Sequence, residues 1–165
     1  ADVYKRQLVL DADALNCVAK QPEILLRKKA PLIITPHPGE MSRLTGLATP
    51  LVNAERERVA LDFAQKYGVV TVLKGAGTVI ASPNGKVLVN PTGNSGMATG
   101  GSGDVLAGMT ASILAQGASA FSSAAAAVYL HGLAGDIAAE KYGKISMLPT
   151  DLINCIPLAY KRCGF

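Results

Sequence analysis

Tryptophan is absent, and aromatic residues make up only 5% of the 165 positions. That is too few for an aromatic platform that stacks bases or sugars. The three cysteines, Cys17, Cys155 and Cys163, form no CxxC pair, which argues against a disulfide framework or a zinc knuckle and fits a reducing cytosol. Residues 1–7 are polar and charged rather than an apolar leader, so a cytoplasmic location is expected. A strong charge of one sign is missing too. Lys+Arg 16 against Asp+Glu 12 gives +4, too mild a surplus to point to a nucleic-acid partner. No charged residue occurs from Val105 to Gly135, a stretch long enough to span a bilayer. Its Ala, Gly and Ser content and the break at Gly117-Ala118-Ser119 point instead to two small-residue helices packed in a core. A GxGxxG dinucleotide fingerprint, a GxxxxGK[ST] phosphate loop and a GxSxG nucleophile elbow are all lacking. Rossmann, P-loop and α/β-hydrolase sites are thereby excluded.

What the chain does hold is apolar and periodic. Hydrophobic residues make up 49%, enough for the core of one domain. Residues 1–7 resemble the translation of a transposon-end adapter used in sequencing libraries, so natural sequence is expected to begin near Leu8, with residues 8–165 forming the C-terminal part of a single domain. Leu8-Val9-Leu10, Pro31–Thr35 and Val69–Leu73 read as buried strands. Thr78–Ala81 and Lys86–Asn90 flank Ser82-Pro83-Asn84-Gly85 as a hairpin. Helices are expected over 14–19, where Asp13 is a candidate cap, and over 22–28, 41–44, 53–67, 104–116, 121–140 and 150–162. On helix 53–67, Ala54, Val59, Ala60, Phe63 and Ala64 share a face. This alternation predicts an α/β fold, a largely parallel sheet with helices on both faces and one inserted hairpin.

The strongest local signal is Gly96-Met97-Ala98-Thr99-Gly100-Gly101-Ser102-Gly103-Asp104. Glycines at 100, 101 and 103 let backbone N–H groups converge, and the helix that follows adds partial positive charge. No Lys or Arg lies between Lys86 and Lys141, so a phosphate held here is held by main chain. Asp104 is either a first-turn helix residue that caps the N-terminus or a base that takes a proton from a hydroxyl attacking phosphorus. Lys74-Gly75-Ala76-Gly77-Thr78 follows a strand directly, where α/β sheets bind nucleotides; a plain turn with a solvated lysine is the alternative. His37 and Glu40 follow the second strand in a loop stiffened by Pro36 and Pro38. Glu40 could reach magnesium through water or only stabilise the first turn of the next helix. His131, in an Ala-rich helix, reads as packed or half-exposed, and Asp11 and Asp13 are candidates to line the cleft.

Four ordered stretches carry a resemblance: Leu10-Asp11-Ala12-Asp13-Ala14-Leu15-Asn16, Thr35-Pro36-His37-Pro38-Gly39-Glu40-Met41, Leu73-Lys74-Gly75-Ala76-Gly77-Thr78, and Gly93 through Gly108. Together they resemble the ADP-dependent NAD(P)H-hydrate dehydratase family, a branch of the ribokinase-like fold. Ser95 and Ser102 stand where that family usually carries Pro and Thr. The resemblance implies repair of hydrated NADH or NADPH, with ADP as phosphoryl donor and Mg2+ as cofactor. It further implies that Asp104 is the base and binds substrate, that His37 binds the hydrate, and that Lys74, Gly75, Ala76, Gly77, Thr78, Gly100, Gly101 and Gly103 bind the nucleotide. Family members have a large part before the position of Leu8, so the chain alone is expected to be inactive or aggregation-prone. Its partners would be small molecules, with a homo-oligomer expected for the complete protein. Two other readings are a ribokinase-like kinase for a vitamin precursor (hydroxymethylpyrimidine or thiazole type) and a non-catalytic adenine-nucleotide-binding domain.

Overall fold

In a computed structural model, residues 7–165 are described. Of the adapter-like stretch, residues 1–6 lie outside the described part. Strand side chains alternate between two cores, as a sheet covered on both faces demands. Ile33, Val70, Val72 and Ile80 point into one cluster of buried residues, while Leu32, Ile34, Val69, Leu73, Val79 and Ala81 point into the other. Five strands line up in the order β1 (Leu8–Leu10), β2 (Leu32–Ile34), β3 (Val70–Leu73), β4 (Val79–Ala81) and β5 (Val87–Val89). β1, β2 and β3 are parallel, with Leu10 opposite Ile34 and Ile34 opposite Thr71. The hairpin β4–β5 adds antiparallel to β3, so β4 alone runs against the other four. Gly85, at φ 93°, closes the hairpin turn where a left-handed residue is needed.

The first core packs beneath α5 (Ser102–Ala115), α6 (Ala120–Tyr142) and α7 (Pro149–Arg162); the second packs beneath α1 (Asp13–Ala19), α2 (Pro38–Thr45), α3 (Thr49–Ala54) and α4 (Arg56–Tyr67). The uncharged stretch 105–135 is therefore most of α5, a turn with Gly117 at φ 94°, and the first two-thirds of α6. Among the described residues no helix is long and apolar enough to cross a membrane.

Three expectations need correction. Residues 53–67 do not form one helix. Pro50 opens α3 in its first turn, the chain leaves helical geometry at Glu55 (φ −127°, ψ 42°), and α4 starts afresh at Arg56. The shared face survives as Val59, Ala60, Phe63 and Ala64, whereas Ala54, on the far side of the break, is exposed. Asp13 does not cap α1. It is the first helical residue, and Ala12 occupies the cap position with φ 48°, ψ −121° and no capping side chain. Residues 22–28 form a 3-10 turn over Pro22–Arg27 rather than an α-helix.

Candidate functional site

The carboxyl ends of β1, β2 and β3 bring four separate stretches together, and Lys74 is the hub. Its backbone N–H donates to the Pro36 carbonyl at 2.8 Å, tying the end of β3 to the loop after β2. Its Nζ lies 2.7 Å from an Asp11 carboxylate oxygen at the end of β1 and 3.9 Å from Glu40 Oε2 at the start of α2. A Cβ placed on Gly103 would lie 3.4 Å from Lys74 Nζ and 3.7 Å from Asp11 Oδ2. The first turn of α5 thus rests directly on the ion pair. Asp11 is therefore a full member of the site. Its signals in the sequence were the strand-end position and its place in the first of the four resembling stretches.

Asp11 is aimed by strain. Ala12 is the only non-glycine residue with positive φ among those described, and it accepts the first backbone bonds of α1 from Leu15 and Asn16. Such a conformation costs of order 1–3 kcal/mol and persists where the surroundings overdetermine it.

His37 and Glu40 form a reciprocal cap on α2. His37 Nδ1 accepts from the N–H groups of Gly39 (3.0 Å) and Glu40 (3.3 Å), and Glu40 Oε2 accepts from the His37 N–H at 2.8 Å. This box, with Pro38 in the first turn, is why α2 begins three residues earlier than expected. Because Nδ1 is an acceptor, the neutral ring carries its proton on Nε2, and the half-exposed ring sets that donor between solvent and the Glu40 carboxylate, whose Oε1 lies 3.5 Å away. Glu40 is buried. Among the described residues no group of three or more His, Cys, Asp or Glu is arranged to hold a metal ion. A protein-only cage is therefore not what this chain offers. A magnesium carried by nucleotide phosphates, needing one carboxylate through its own waters, does fit the donor set.

The turn after β3 is braced from behind. Arg56 Nη2 donates to the Leu73 carbonyl (2.9 Å) and, more weakly, to that of Gly77 (3.4 Å), spanning the turn. Gly75, at φ 149°, holds a backbone conformation that other residues rarely adopt, and a Cβ there would push aside Arg56, whose Nη1 would lie 2.7 Å away. Thr78 Oγ1 donates back to the Gly75 carbonyl at 3.0 Å. Ala76 and Gly77, with Arg56, Val79 and Val89, wall a cleft of about 640 Å³, within the size range of ligand sites. Arg56 was illegible in the sequence, because the run Glu55–Arg58 reads as a solvated charged face.

The glycine loop leads directly into α5. Gly101 caps α5 at φ 96°, with Pro149 packed where a Cβ would go, and no side chain caps the helix. Gly100 faces open space. Asp104 is exposed in the first turn of α5, and its side chain makes no hydrogen bond with any described residue. It is thus not a capping residue, and its carboxylate is free to meet a ligand. Ser102 is buried, its hydroxyl without a partner.

Beneath the loop lies His131, packed rather than half exposed, and its ring also makes a polar contact that the sequence did not indicate. The ring is buried, and Nε2 is 2.9 Å from the Ser102 carbonyl. Since a carbonyl can only accept, Nε2 carries the proton. Burial pushes the His131 pKa down to about 4. The hydrogen bond to Ser102 opposes this, and the Lys74 charge adds a smaller lowering.

An amide-lined helix N-terminus at the carboxyl edge of this sheet, with a lysine turn beside it and a flanking hairpin, defines a ribokinase-like domain. The family model described as NAD(P)H-hydrate dehydratase matches residues 2–158, and the chain belongs to that family. It is 48% identical over 154 residues to the bifunctional NAD(P)H-hydrate repair enzyme Nnr of Moorella thermoacetica, covering 93% of this chain and 29% of that protein. To the ADP-dependent (S)-NAD(P)H-hydrate dehydratase of Neisseria meningitidis it is 44% identical, covering 84% of this chain and 47% of that protein. The crystal structure of the ADP/ATP-dependent NAD(P)H-hydrate dehydratase from Bacillus subtilis co-crystallised with ATP/Mg2+ superposes with a TM-score of 0.87 at 36% identity, covering 96% of this chain and 55% of that one. The chain thus spans between about a third and just over half the length of these relatives.

Proposed function

We propose that the protein carrying this chain dehydrates hydrated NADH or NADPH, using ADP to turn the ring hydroxyl into a leaving group. The observation that carries the reading is the convergence of Lys74, Asp11 and Gly103 on one point, beside an exposed, unpartnered Asp104. Hydroxide leaves poorly, whereas phosphate leaves well. In the proposed sequence Asp104 takes the proton of the ring hydroxyl as its oxygen attacks the β-phosphorus of ADP, and AMP departs. Loss of phosphate from the ring, with a proton from the adjacent carbon, restores the dihydropyridine.

Each remaining group has a defined task. The amides of Gly100, Gly101 and Gly103 and the N-terminus of α5 hold the diphosphate chiefly by main chain. Lys74 places one point charge beside them, and Gly75, Ala76, Gly77 and Thr78 shape the nucleotide turn. His37 donates from Nε2 to the hydrate. Magnesium, reached by Glu40 through water, would offset phosphate charge. Cytoplasmic location and a homo-oligomeric complete protein belong to the same reading.

The test mixes the complete protein with hydrated NADH, ADP and Mg2+ and follows recovery of dihydronicotinamide absorbance. Asp104→Asn should lower turnover by at least about a hundredfold while ADP still binds, the usual scale for losing a general base. Phosphorylation of a vitamin alcohol in place of recovery would establish the kinase instead. ADP binding with no turnover of either substrate would establish a binding domain.

A further inference from the structure

Helix α6 touches the glycine loop at both ends, through two groups five residues apart. At the near end the Asp136 carboxylate accepts the Gly93 N–H with Oδ2 at 2.9 Å and the Asn94 side-chain amide with Oδ1 at 3.0 Å. The same amide also donates to the Gly135 carbonyl, and Asn94 Oδ1 accepts the Gly96 N–H, each at 3.0 Å. At the far end His131 Nε2 donates to the Ser102 carbonyl at 2.9 Å. Between these points the helix has glycine where the loop presses closest. A Cβ on Gly132 would lie 2.2 Å from Thr92 Oγ1, and one on Gly135 would lie 2.2 Å from Met97 Sδ. Thr92 Oγ1 meanwhile donates to the Tyr129 carbonyl at 2.9 Å.

The loop between these anchors is partly exposed, and five glycines fall between positions 93 and 103 inclusive. Free in solution such a segment would populate many conformations, and ordering it on ligand binding would cost affinity. Two anchored ends remove much of that cost before a ligand arrives.

We propose that His131 and Asp136 are positioning residues that clamp the two ends of the glycine loop, so that its amides already face the diphosphate of the nucleotide. The inference rests on the nucleotide-site reading above, though neither residue touches the nucleotide in that reading. Burial of His131 supports it independently. The Nε2–H donor to Ser102 is present in the neutral ring and in the protonated one, so the bond persists across the working range.

The test measures ADP binding to the complete protein by calorimetry, with loop amide exchange read by mass spectrometry. In His131→Leu the ADP dissociation constant should rise about tenfold, the scale of one lost hydrogen bond, and exchange across residues 93–103 should quicken. His131→Gln, which returns an amide donor near the Nε2 position, should restore the constant to within about threefold of the unaltered protein, since its donor is retained. If His131→Leu does not fold, Asp136→Asn carries the test with the same expected loss at the other end, because its amide faces the Asn94 amide donor to donor. ADP binding by His131→Leu or by Asp136→Asn as tight as that of the unaltered protein overturns the proposal alone. Failure of His131→Gln to recover where His131→Leu loses affinity also overturns it, by reducing His131 to a packing residue. Failure of the unaltered complete protein to bind ADP at all overturns the nucleotide-site reading and the proposal together.

Discussion

Ala12 shows what a single residue can be made to bear. At φ 48°, ψ −121° it holds a conformation that suits glycine, and it does so where the chain must turn from β1 to present Asp11 to Lys74. Ala12→Gly should therefore stabilise the fold by about 1 kcal/mol, read as a rise in melting temperature, because relief of strain outweighs the added freedom of the unfolded chain. His131 makes a second prediction at this scale. Its folded pKa of about 4 lies below the unfolded value near 6.5, so the unfolded chain binds the proton first as pH falls. The stability it contributes is whole above pH 6.5 and is lost between pH 6.5 and 4, about 3 kcal/mol in all. Urea unfolding across that window should show the decline, and His131→Gln should flatten it.

Among the elements, α6 explains itself by what it omits. Its small residues read as core in the sequence, yet Gly132 and Gly135 are there for the loop. Alanine in a helix interior gains about 1 kcal/mol over glycine in propensity, so only the loop contact can make the exchange costly. At Gly132 the obstacles include the Thr92 backbone carbon at 2.7 Å, whereas at Gly135 all are atoms of the flexible Met97 side chain. Gly132→Ala should thus destabilise by about 1–3 kcal/mol, as overpacking against backbone does, and Gly135→Ala by distinctly less. Thermal denaturation of the two variants compares them directly. Strands, the hairpin and the long helices were legible because periods of two and of about 3.6 residues survive in the apolar pattern. The break at Glu55 was not, since nothing local forbids a helix there. Arg56 reaching the carbonyls of Leu73 and Gly77 is a contact between distant stretches of chain.

For the molecule as a whole, the proposed nucleotide contacts all lie within these 165 residues, while the relatives are about twice as long or longer. The isolated chain should bind ADP with an affinity within about tenfold of the complete protein, because the preorganised loop is intact, yet turn over hydrated NADH far more slowly. Calorimetry beside the absorbance assay checks both halves, and equal turnover would place the whole catalytic apparatus in this chain. Its sequence alone determined the α/β layering, the hairpin, the glycine loop and the candidates Asp104, Lys74 and His37, for these are written in local pattern and spacing. Only the tertiary structure decided that Asp11 pairs with Lys74 and that His131, Asp136 and Arg56 stand behind the glycine loop and the turn after β3. Those assignments depend on which groups meet across 17 to 63 residues of chain, and a hydrogen bond is specified by position in space rather than by separation in sequence.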